Sequence, residues 1–377
     1  MFRTFLAIAI RNLQKNRVHS FINVAGLAAG MALTLLIGLW IGDELSFDHY
    51  APKHRRIGIA MHYSYLNDEQ NGTNPTIPMP WGTAFSQRSD LFVHTALASG
   101  PLFEALLSSG EKVVSGKMIW AQMELPGMFG FRFVKGDLSS AKDPSTALIS
   151  ESIATALFGN ADPIGKIVKG GNEVELKVGG VYEDLPRNNR FYGLQVILPW
   201  YNKVNSYANT NTDWNDHNGN LYVELAPGVT AGQATDQVRH IPSPHVKDYH
   251  EDALIYPLDR AHLWSDFKNG KPDGGPIRFV WLFGTIGVFV LLLACINFMN
   301  LSTARSERRA KEVGIRKTVG SLTRQLIVQF LGESVLVTLI AVLLALALVE
   351  LTMPFLLNYP QKICASPGVN LCFGSSC

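Results

Sequence analysis

The stretch RRAKEVGIRKTVGS, residues 308 to 321, separates two long apolar runs of the chain. Six of its fourteen residues are Arg, Lys or Glu, whereas the 26 residues from 279 to 304 carry no charge. The run that follows Arg324 carries only Glu333 before Glu350. Each run supplies the roughly 20 apolar residues that a helix needs to cross a bilayer, so the charged loop joins two predicted membrane spans.

A third uncharged run, residues 18 to 42, lies near the N-terminus. Hydrophobic residues make up 47% of the 377-residue chain and charged residues only 17%, a balance that is unusual for a soluble protein of this length. The sequence therefore predicts a membrane protein with three transmembrane α-helices. We interpret the first span as a retained signal anchor, because its charged lead is long and no cleavage site follows Trp40.

The distribution of Lys and Arg predicts the orientation of the spans. Four basic residues and no acid precede the first span, and seven basic residues lie between residues 305 and 325. Basic residues collect on the cytoplasmic side, so the N-terminus and the charged loop are predicted to be cytoplasmic and residues 43–277 extracytoplasmic. Trp40 and Trp281 stand at the predicted outer ends of the first two spans, where aromatic anchors are typical.

Residues 43–277 have the pattern of a large α+β domain between the first and second spans. Apolar and charged residues alternate over residues 174–178, which is typical of a strand with one face in water. In SESIATALFG, Ser150 is a candidate helix N-cap and Gly159 a stop signal. Residues 231–240 are predicted to form another short helix.

Small residues recur at every fourth position of the first span and share one helix face. Small residues at this spacing let a second helix approach closely within a membrane. We therefore predict a helix-packing face formed by Gly26, Gly30, Thr34, Gly38 and Gly42.

The third span contains one ionisable residue at membrane depth, Glu333. Such residues usually face protein, because a charge in hydrocarbon is costly. We predict that Glu333 faces protein and pairs with Gln329 one turn earlier; a proton relay is the alternative, although no second carboxylate accompanies it.

The sequence contains no recognisable catalytic or metal-binding motif. GNADPIGKI, residues 159–167, has the composition of a phosphate-binding loop, but five residues separate its glycines and no Ser or Thr follows Lys166. His240, His245 and His250 recur at intervals of five, which fits neither a helix face nor a strand face, so surface histidines are predicted instead of a metal site. We expect no catalytic residue, no metal and no cofactor in this chain.

The charged loop admits two interpretations. One is contact with anionic lipid headgroups, to which each Lys or Arg contributes about 1 kcal/mol. The other is insertion into the groove of a partner protein. Val313 and Ile315 are apolar points among the charges, and Gly314 and Gly320 are predicted to break a continuous helix into short pieces, which suits insertion.

The segment ACINFMNLSTARSERRAKEVGIRKTVGS, followed by QLIVQFLGES, resembles the second span, coupling helix and start of the third span of MacB/FtsX-type ABC transporter permeases. DELSFDHY, MFGFRFVKGD, DPSTALISESIATALFGNADPIGK, GVYEDLPRNNRF and YPLDRAHL resemble the extracytoplasmic core domain of the same family. These pieces come in the family's order over most of residues 1–357 and are closest to the double-length subgroup, in which the unit occurs twice. The resemblance implies a MacB-like periplasmic core domain between the first two spans.

The resemblance also implies a permease without its own ATPase. A separate ABC ATPase subunit, which holds ATP and Mg, would dock on the coupling helix and push on the second span, so that the external domain exports or releases a substrate. The further implied partners are a second permease unit, as a dimer partner or a missing C-terminal half, and membrane lipid, with no nucleic acid. The implied location is the bacterial inner membrane, as a multi-pass protein. The resemblance assigns the ATPase-coupling role to Glu312, Val313, Gly314, Ile315, Arg316, Lys317 and Gly320.

The C-terminus departs from the family pattern, which expects a fourth span. Three of the four cysteines, Cys364, Cys372 and Cys377, fall in the last 14 residues, and this tail has no periodicity. We interpret the tail as the product of a frameshift or truncation, with a disulfide-bearing tail as the alternative. The predicted parts are an amphipathic N-terminal helix (1–17), the first span (18–42), the extracytoplasmic domain (43–277), the second span (279–304), the cytoplasmic loop (305–325), the third span (326–350) and the tail (351–377).

Three alternatives to a working permease remain. A membrane-anchored sensor or receptor would need an internal signalling domain, for which the third span leaves no room. A membrane-anchored external enzyme would need a catalytic set in residues 43–277. A non-functional truncated permease would explain the unusual tail.

Overall fold

The computed structural model describes residues 17–66, 69–139, 143–170, 174–206, 208, 212–247, 249–318 and 323–358. The chain divides into two compact units, Met1–Gly42 with Arg278–Cys377 and Asp43–Ile277. The long apolar helices belong to the first unit, and the β-sheet belongs to the second.

The bounds of the helices and strands follow the chain order. The helices are α1 (Arg17–Leu45), α2 (Pro80–Ser86), α3 (Glu124–Phe129), α4 (Glu151–Phe158), α5 (Ala231–Val238), α6 (Leu258–Ala261), α7 (Ile277–Thr318) and α8 (Thr323–Asn358), with a 3₁₀ turn at His54–Arg56. The strands are β1 (Ile57–Leu66), β2 (Glu69–Asn74), β3 (Thr76–Pro78), β4 (Phe92–Ser99), β5 (Phe103–Ser109), β6 (Lys112–Ala121), β7 (Phe133–Gly136), β8 (Thr146–Ser150), β9 (Ile167–Gly170), β10 (Val174–Tyr182), β11 (Leu194–Pro199), β12 (His217–Leu225), β13 (His250–Pro257), β14 (Asp266–Lys268) and β15 (Lys271–Gly274).

Three helices of the described chain are long and apolar enough to cross a membrane. The suitable stretches are Phe21–Leu45 in α1, Ile277–Asn300 in α7 and Leu331–Pro354 in α8. Together with the large domain between the first two, they confirm the predicted fold class. Helix α8 continues past the predicted boundary at residue 350 to Asn358, because the chain stays apolar.

Two predicted parts lie largely outside the described residues. They are the amphipathic N-terminal helix, of which only Arg17 is described, and the tail beyond Asn358, which contains Cys364, Cys372 and Cys377.

The helix of the second span runs without a break into the charged segment. Helix α7 has 42 residues and passes through Gly314 to Thr318. The prediction that Gly314 interrupts the helix is therefore wrong. A single Gly costs about 1 kcal/mol in a helix interior, which the neighbouring helix formers Arg, Lys, Glu and Ala offset. Gly320, the second predicted break, lies outside the described residues.

The second unit contains a mixed sheet of thirteen strands. The strands follow the order β11-β8-β10-β9-β5-β6-β4-β12-β1-β13, and β2, β3 and β7 pair at its sides. Strand β11 also pairs with β6 in parallel, so six strands from β11 to β6 close on themselves. Strand β13 lies beside β1 at the other end, where the chain leads into the helices α6 and α7.

Local sequence signals account for several of these elements. The alternation over residues 174–178 appears in β10, where Leu176 and Val178 are buried and Glu175 and Lys177 are exposed. The Ser150 side chain accepts a hydrogen bond from the Ile153 N–H at the start of α4, as predicted for an N-cap. Helix α5 is also confirmed and ends at Val238, two residues before the predicted end.

Candidate functional site at the ends of the first two spans

The predicted ATPase-coupling residues lie at the end of α7. Residues 312–317 are helical there, and the Ile315 side chain is 65% exposed. Gly320 and the side chains of the other five lie outside the described part of the chain. Their role in coupling stays a prediction.

The predicted small-residue face of α1 contacts α7 over part of its length. A Cβ added at Gly30 would stand 2.6 Å from Cβ of Ala294, so the two helices approach closely at this position. Oγ1 of Thr34 donates to the Gly30 carbonyl of its own helix at 2.9 Å and also lies 3.3 Å from the Gly287 carbonyl of α7. A Cβ at Gly26 would stand 3.3 Å from Nδ2 of Asn297. The face thus brings Gly26, Gly30 and Thr34 against the second span.

The outer part of the predicted face is different. A Cβ added at Gly38 or Gly42 would meet no described neighbouring atom within 4 Å. In this part of the interface the small residue belongs to the other helix, because Gly287 of α7 lies against the Ile37 side chain of α1. A regular spacing of glycines therefore does not by itself show where two helices touch.

A second small-residue contact of α1 was not predicted. Ala28 packs in one buried cluster with Ala341 of α8, and Ala32 packs in another with Ala345. On each helix the two alanines are four residues apart, so the spacing rule that selected the glycines would also have found these alanines.

Glu333 lies half-buried in α8, and the Gln329 side chain lies outside the described residues. The predicted pairing of these two side chains stays a prediction.

The second unit gathers a group of side chains at the chain positions where it meets α1 and α7. We call this group the junction cluster, and it consists of Glu44, Phe47, Asp48, Arg190, His262, Leu263 and Ile277. The Nε2 of His262 donates to Oε2 of Glu44 at 2.5 Å, and its ring stacks on Phe47 with 3.7 Å between centroids.

A buried ion pair fixes the segment that follows the first span. Asp48 is 1% exposed and accepts from the Arg190 backbone N–H and from Nε of its guanidinium, each at 2.9 Å. The backbone of Asp48 has a φ of 62°, a left-handed conformation that Asp tolerates better than most residues, and its N–H donates to the Asn188 carbonyl at 2.8 Å. Burial alone would disfavour the guanidinium charge, but Asp48 outweighs it and the pKa of Arg190 is raised.

Leu263 of the junction cluster bonds to the first residue of α7. The Ile277 N–H, at the start of α7, donates to the Leu263 carbonyl at 3.0 Å. This approach requires Gly275, with a φ of 135°, because an added Cβ would stand 2.8 Å from the same carbonyl. Burial raises the pKa of Tyr256 to about 12, so its hydroxyl keeps its proton and donates to the Trp264 carbonyl at 2.8 Å.

The junction cluster unites three of the short segments that resemble the permease family. DELSFDHY supplies Glu44, Phe47 and Asp48, GVYEDLPRNNRF supplies Arg190, and YPLDRAHL supplies His262 and Leu263. The sequence alone did not identify these residues as a site, since Asp48 and Arg190 are 142 positions apart.

Two family models match the chain. The model described as MacB-like periplasmic core domain matches residues 20–241, which is more than half of the chain. The model described as FtsX-like permease C-terminal matches residues 284–372. The chain is an ABC transporter permease of the MacB/FtsX type. Its family and its apolar helices identify it as an inner membrane protein.

The permease is similar to curated proteins over part of their length. It is 36% identical over 205 residues to the macrolide export ATP-binding/permease protein MacB of Bdellovibrio bacteriovorus, a match that covers 54% of this chain and 30% of that protein. It is 22% identical over 347 residues to the protein of the same name from Bartonella quintana, covering 90% of this chain and 50% of that protein. The match therefore spans between 30% and 50% of the length of these relatives.

A solved structure of a permease domain from Porphyromonas gingivalis also matches. The identity is 21% and the TM-score 0.47, and the match covers 55% of this chain and 91% of that one.

The extracytoplasmic unit of the permease also contains an open groove of about 860 Å³. Helix α2 and strand β4 form two of its walls, and its other lining residues include Trp200, Tyr201 and Trp214. Volumes of this size are typical of ligand sites.

The three predicted surface histidines lie apart from one another in the permease. Nδ1 of His240 is 3.2 Å from Asp252, whereas His245 stacks on Trp214 and His250 on Tyr65. Within the described ranges, no group of three or more His, Cys, Asp or Glu side chains is arranged to hold a metal ion.

Proposed function

We propose that the permease couples ATP hydrolysis by a separate ATPase subunit to movement of its extracytoplasmic unit, and that this movement exports or releases a substrate. The relatives described above are named ATP-binding/permease proteins, and the match covers 30% and 50% of their length. The proposal assigns ATP and Mg to the partner subunit and no cofactor to this chain.

The observation that carries the proposal is the unbroken helix α7. Its 42 residues span about 63 Å at a rise of 1.5 Å per residue, roughly twice the thickness of a hydrocarbon core. One end is bonded to Leu263 through the Ile277 N–H, and the predicted docking residues, centred on Ile315, lie near the other. A displacement of the docking end would be transmitted along a single rigid element.

The junction cluster would distribute this displacement within the extracytoplasmic unit. The Leu263 carbonyl accepts a hydrogen bond from the first residue of α7, and the adjacent His262 donates to Glu44 in the last turn of α1. A movement of α7 along its axis would therefore strain the hydrogen bond between His262 and Glu44. In this mechanism the substrate stays outside the membrane, and a second permease unit completes the transporter.

We expect Ile315→Asp to abolish co-purification of the ATPase with the full-length permease. Interface energy is concentrated in a few anchors, and Ile315 is an exposed apolar side chain on the docking end of α7. Lys311→Gln, four residues earlier on the same helix, should weaken co-purification only slightly. The measurement is capture of the ATPase from detergent-solubilised membranes at fixed ionic strength.

The lipid interpretation of the charged segment predicts the opposite order. Removal of a positive charge matters at headgroups, whereas one apolar side chain among many does not. Equal or greater harm from Lys311→Gln would therefore contradict docking at this segment.

The proposed orientation places the N-terminus and the charged segment in the cytoplasm. In a permease with its native cysteines replaced by Ser, we expect Ser321→Cys to react with an impermeant maleimide only from the cytoplasmic side. Glu111→Cys, in the exposed turn between β5 and β6, should react only from outside. Reversed labelling of this pair would refute the orientation and the proposed ATPase site together.

A further inference from the structure

A group of two histidines and one glutamate, two of them buried, lies at one edge of the extracytoplasmic unit. His62 is on β1, His217 begins β12, and Glu251 is near the start of β13. Glu251 is 0% exposed and His62 7% exposed. Nothing in the proposed coupling mechanism uses these side chains.

The hydrogen bonds of His217 determine its charge. Its Nδ1 is 3.0 Å from the Asn215 carbonyl and its Nε2 is 3.0 Å from Oε2 of Glu251. A carbonyl and a carboxylate both only accept hydrogen bonds, so the two ring nitrogens both donate and the imidazole is cationic. A neutral His217 would leave one of these two acceptors without a proton.

The environment of His62 favours the neutral form. Its Nδ1 donates to the Thr76 carbonyl at 2.6 Å, and its ring centroid lies 4.3 Å from that of His217. Two imidazolium rings at this distance repel each other, so the pair holds one proton more readily than two.

The pKa shifts agree with this assignment. Burial and the neighbouring His217 lower the pKa of His62. Burial also opposes a charge on His217, but the hydrogen bond and charge of Glu251 outweigh it and raise the pKa of His217. Asp213 and Asp216, on the same segment of the chain, also act on His217.

The neighbouring strands contribute polar and aromatic partners to the group. Strand β3 contributes the Thr76 carbonyl, and Asn74 of β2 is the cross-strand partner of His62. The nearby His250 stacks on Tyr65 at the end of β1.

The group holds one wall of the groove. His217 pairs with Pro78 of β3, next to the groove residue Met79. The same His217 bonds to Asn215, in the turn that carries the groove residue Trp214. Loss of the His217 bonds would therefore release this turn from β13.

We propose that His62, His217 and Glu251 form a latch that holds the Trp214 wall of the groove in place while the histidine pair carries one positive charge. The latch loosens when His217 loses its proton and also when His62 gains one. Within the extracytoplasmic unit, the order of the groove wall thus depends on the pH of the surrounding compartment.

The stability of the latch should fall on both sides of an optimal pH, on an alkaline limb that depends on His217 and an acidic limb that depends on His62. The pKa of His217 is raised, so its contribution is fully present below the unfolded value of about 6.5 and is lost as pH rises through the folded pKa. The pKa of His62 is lowered, so the folded state resists its protonation and loses stability as pH falls below about 6.5. The wall should be most ordered near pH 6.5.

The test is limited proteolysis of the full-length permease in detergent between pH 5 and pH 9, with cleavage at residues 212–218 mapped by mass spectrometry. Rates are normalised to cleavage of a denatured reference protein at each pH. For the wild type we expect a minimum near pH 6.5 and about tenfold faster cleavage at pH 9, the effect of losing one hydrogen bond to a charged group. A wild-type rate that does not vary with pH overturns the latch without any variant.

Two substitutions separate the limbs. His217→Gln should remove the alkaline limb and His62→Gln the acidic limb. The control is His240→Gln, whose side chain is 75% exposed beside Asp252, and it should retain both limbs. Loss of the same limb in both variants, or an altered profile in the control, would also overturn the proposal. The readout needs no ATPase, so its outcome is independent of the coupling mechanism.

Discussion

Arg190→Ala is expected to lower the free energy of unfolding of the extracytoplasmic unit by about 3–5 kcal/mol, the cost of leaving one member of a buried ion pair without its partner. The carboxylate of Asp48 is 1% exposed, and the Arg190 guanidinium donates to it over 2.9 Å. The measurement is chemical or thermal unfolding of the full-length permease in detergent.

An exposed arginine of the same unit supplies the matched control. Nη1 of Arg132 lies 4.0 Å from Glu183, and the two side chains are 73% and 48% exposed. Arg132→Ala should therefore cost less than about 1 kcal/mol. The double variant Asp48→Asn with Arg190→Met should lose less than Arg190→Ala, because no unpaired charge then stays buried. Similar losses for Arg190→Ala and Arg132→Ala would show that the pair does not stabilise the junction cluster.

Gly30→Leu is expected to disrupt the packing of α1 on α7. The first added atom would stand 2.6 Å from Cβ of Ala294, and overpacking of this kind costs about 1–3 kcal/mol. The measurement is the fraction of permease that stays monodisperse after heating in detergent, by size-exclusion chromatography.

Gly38→Leu is the matched control on the same predicted face. No described neighbouring atom lies within 4 Å of its added Cβ, so it should leave the heated fraction nearly unchanged. The smaller change Gly30→Ala should also lower the heated fraction, and adding Ala294→Gly should restore that fraction because it removes the clashing methyl group. Equal damage from Gly30→Leu and Gly38→Leu, or no restoration by Ala294→Gly, would contradict the assigned contact.

The sequence by itself determined the spans and the class of the domain between them. The absence of charge over residues 279–304 reflects the cost of a charge in hydrocarbon, which depends on no particular partner. The alternation in β10 and the cap at Ser150 are equally local, since each depends on neighbours within a few positions. The resemblance to MacB/FtsX-type permeases likewise came from contiguous segments, and the family models match the regions of all of them except YPLDRAHL.

Only the tertiary structure decided which of these residues meet. Gly30 and Gly38 are equivalent in the sequence pattern, but only Gly30 lies against α7. The sequence pattern predicted a helix break at Gly314, but α7 passes through this residue. Asp48 bonds to Arg190 although 142 positions separate them. His217 lies near Glu251 because their strands, β12 and β13, both pair with β1 in the sheet. The periodicity of a sequence predicts which face of a helix or strand is buried. The partner of each residue on that face depends on strand order and helix contacts, which are set by the packing of the whole chain.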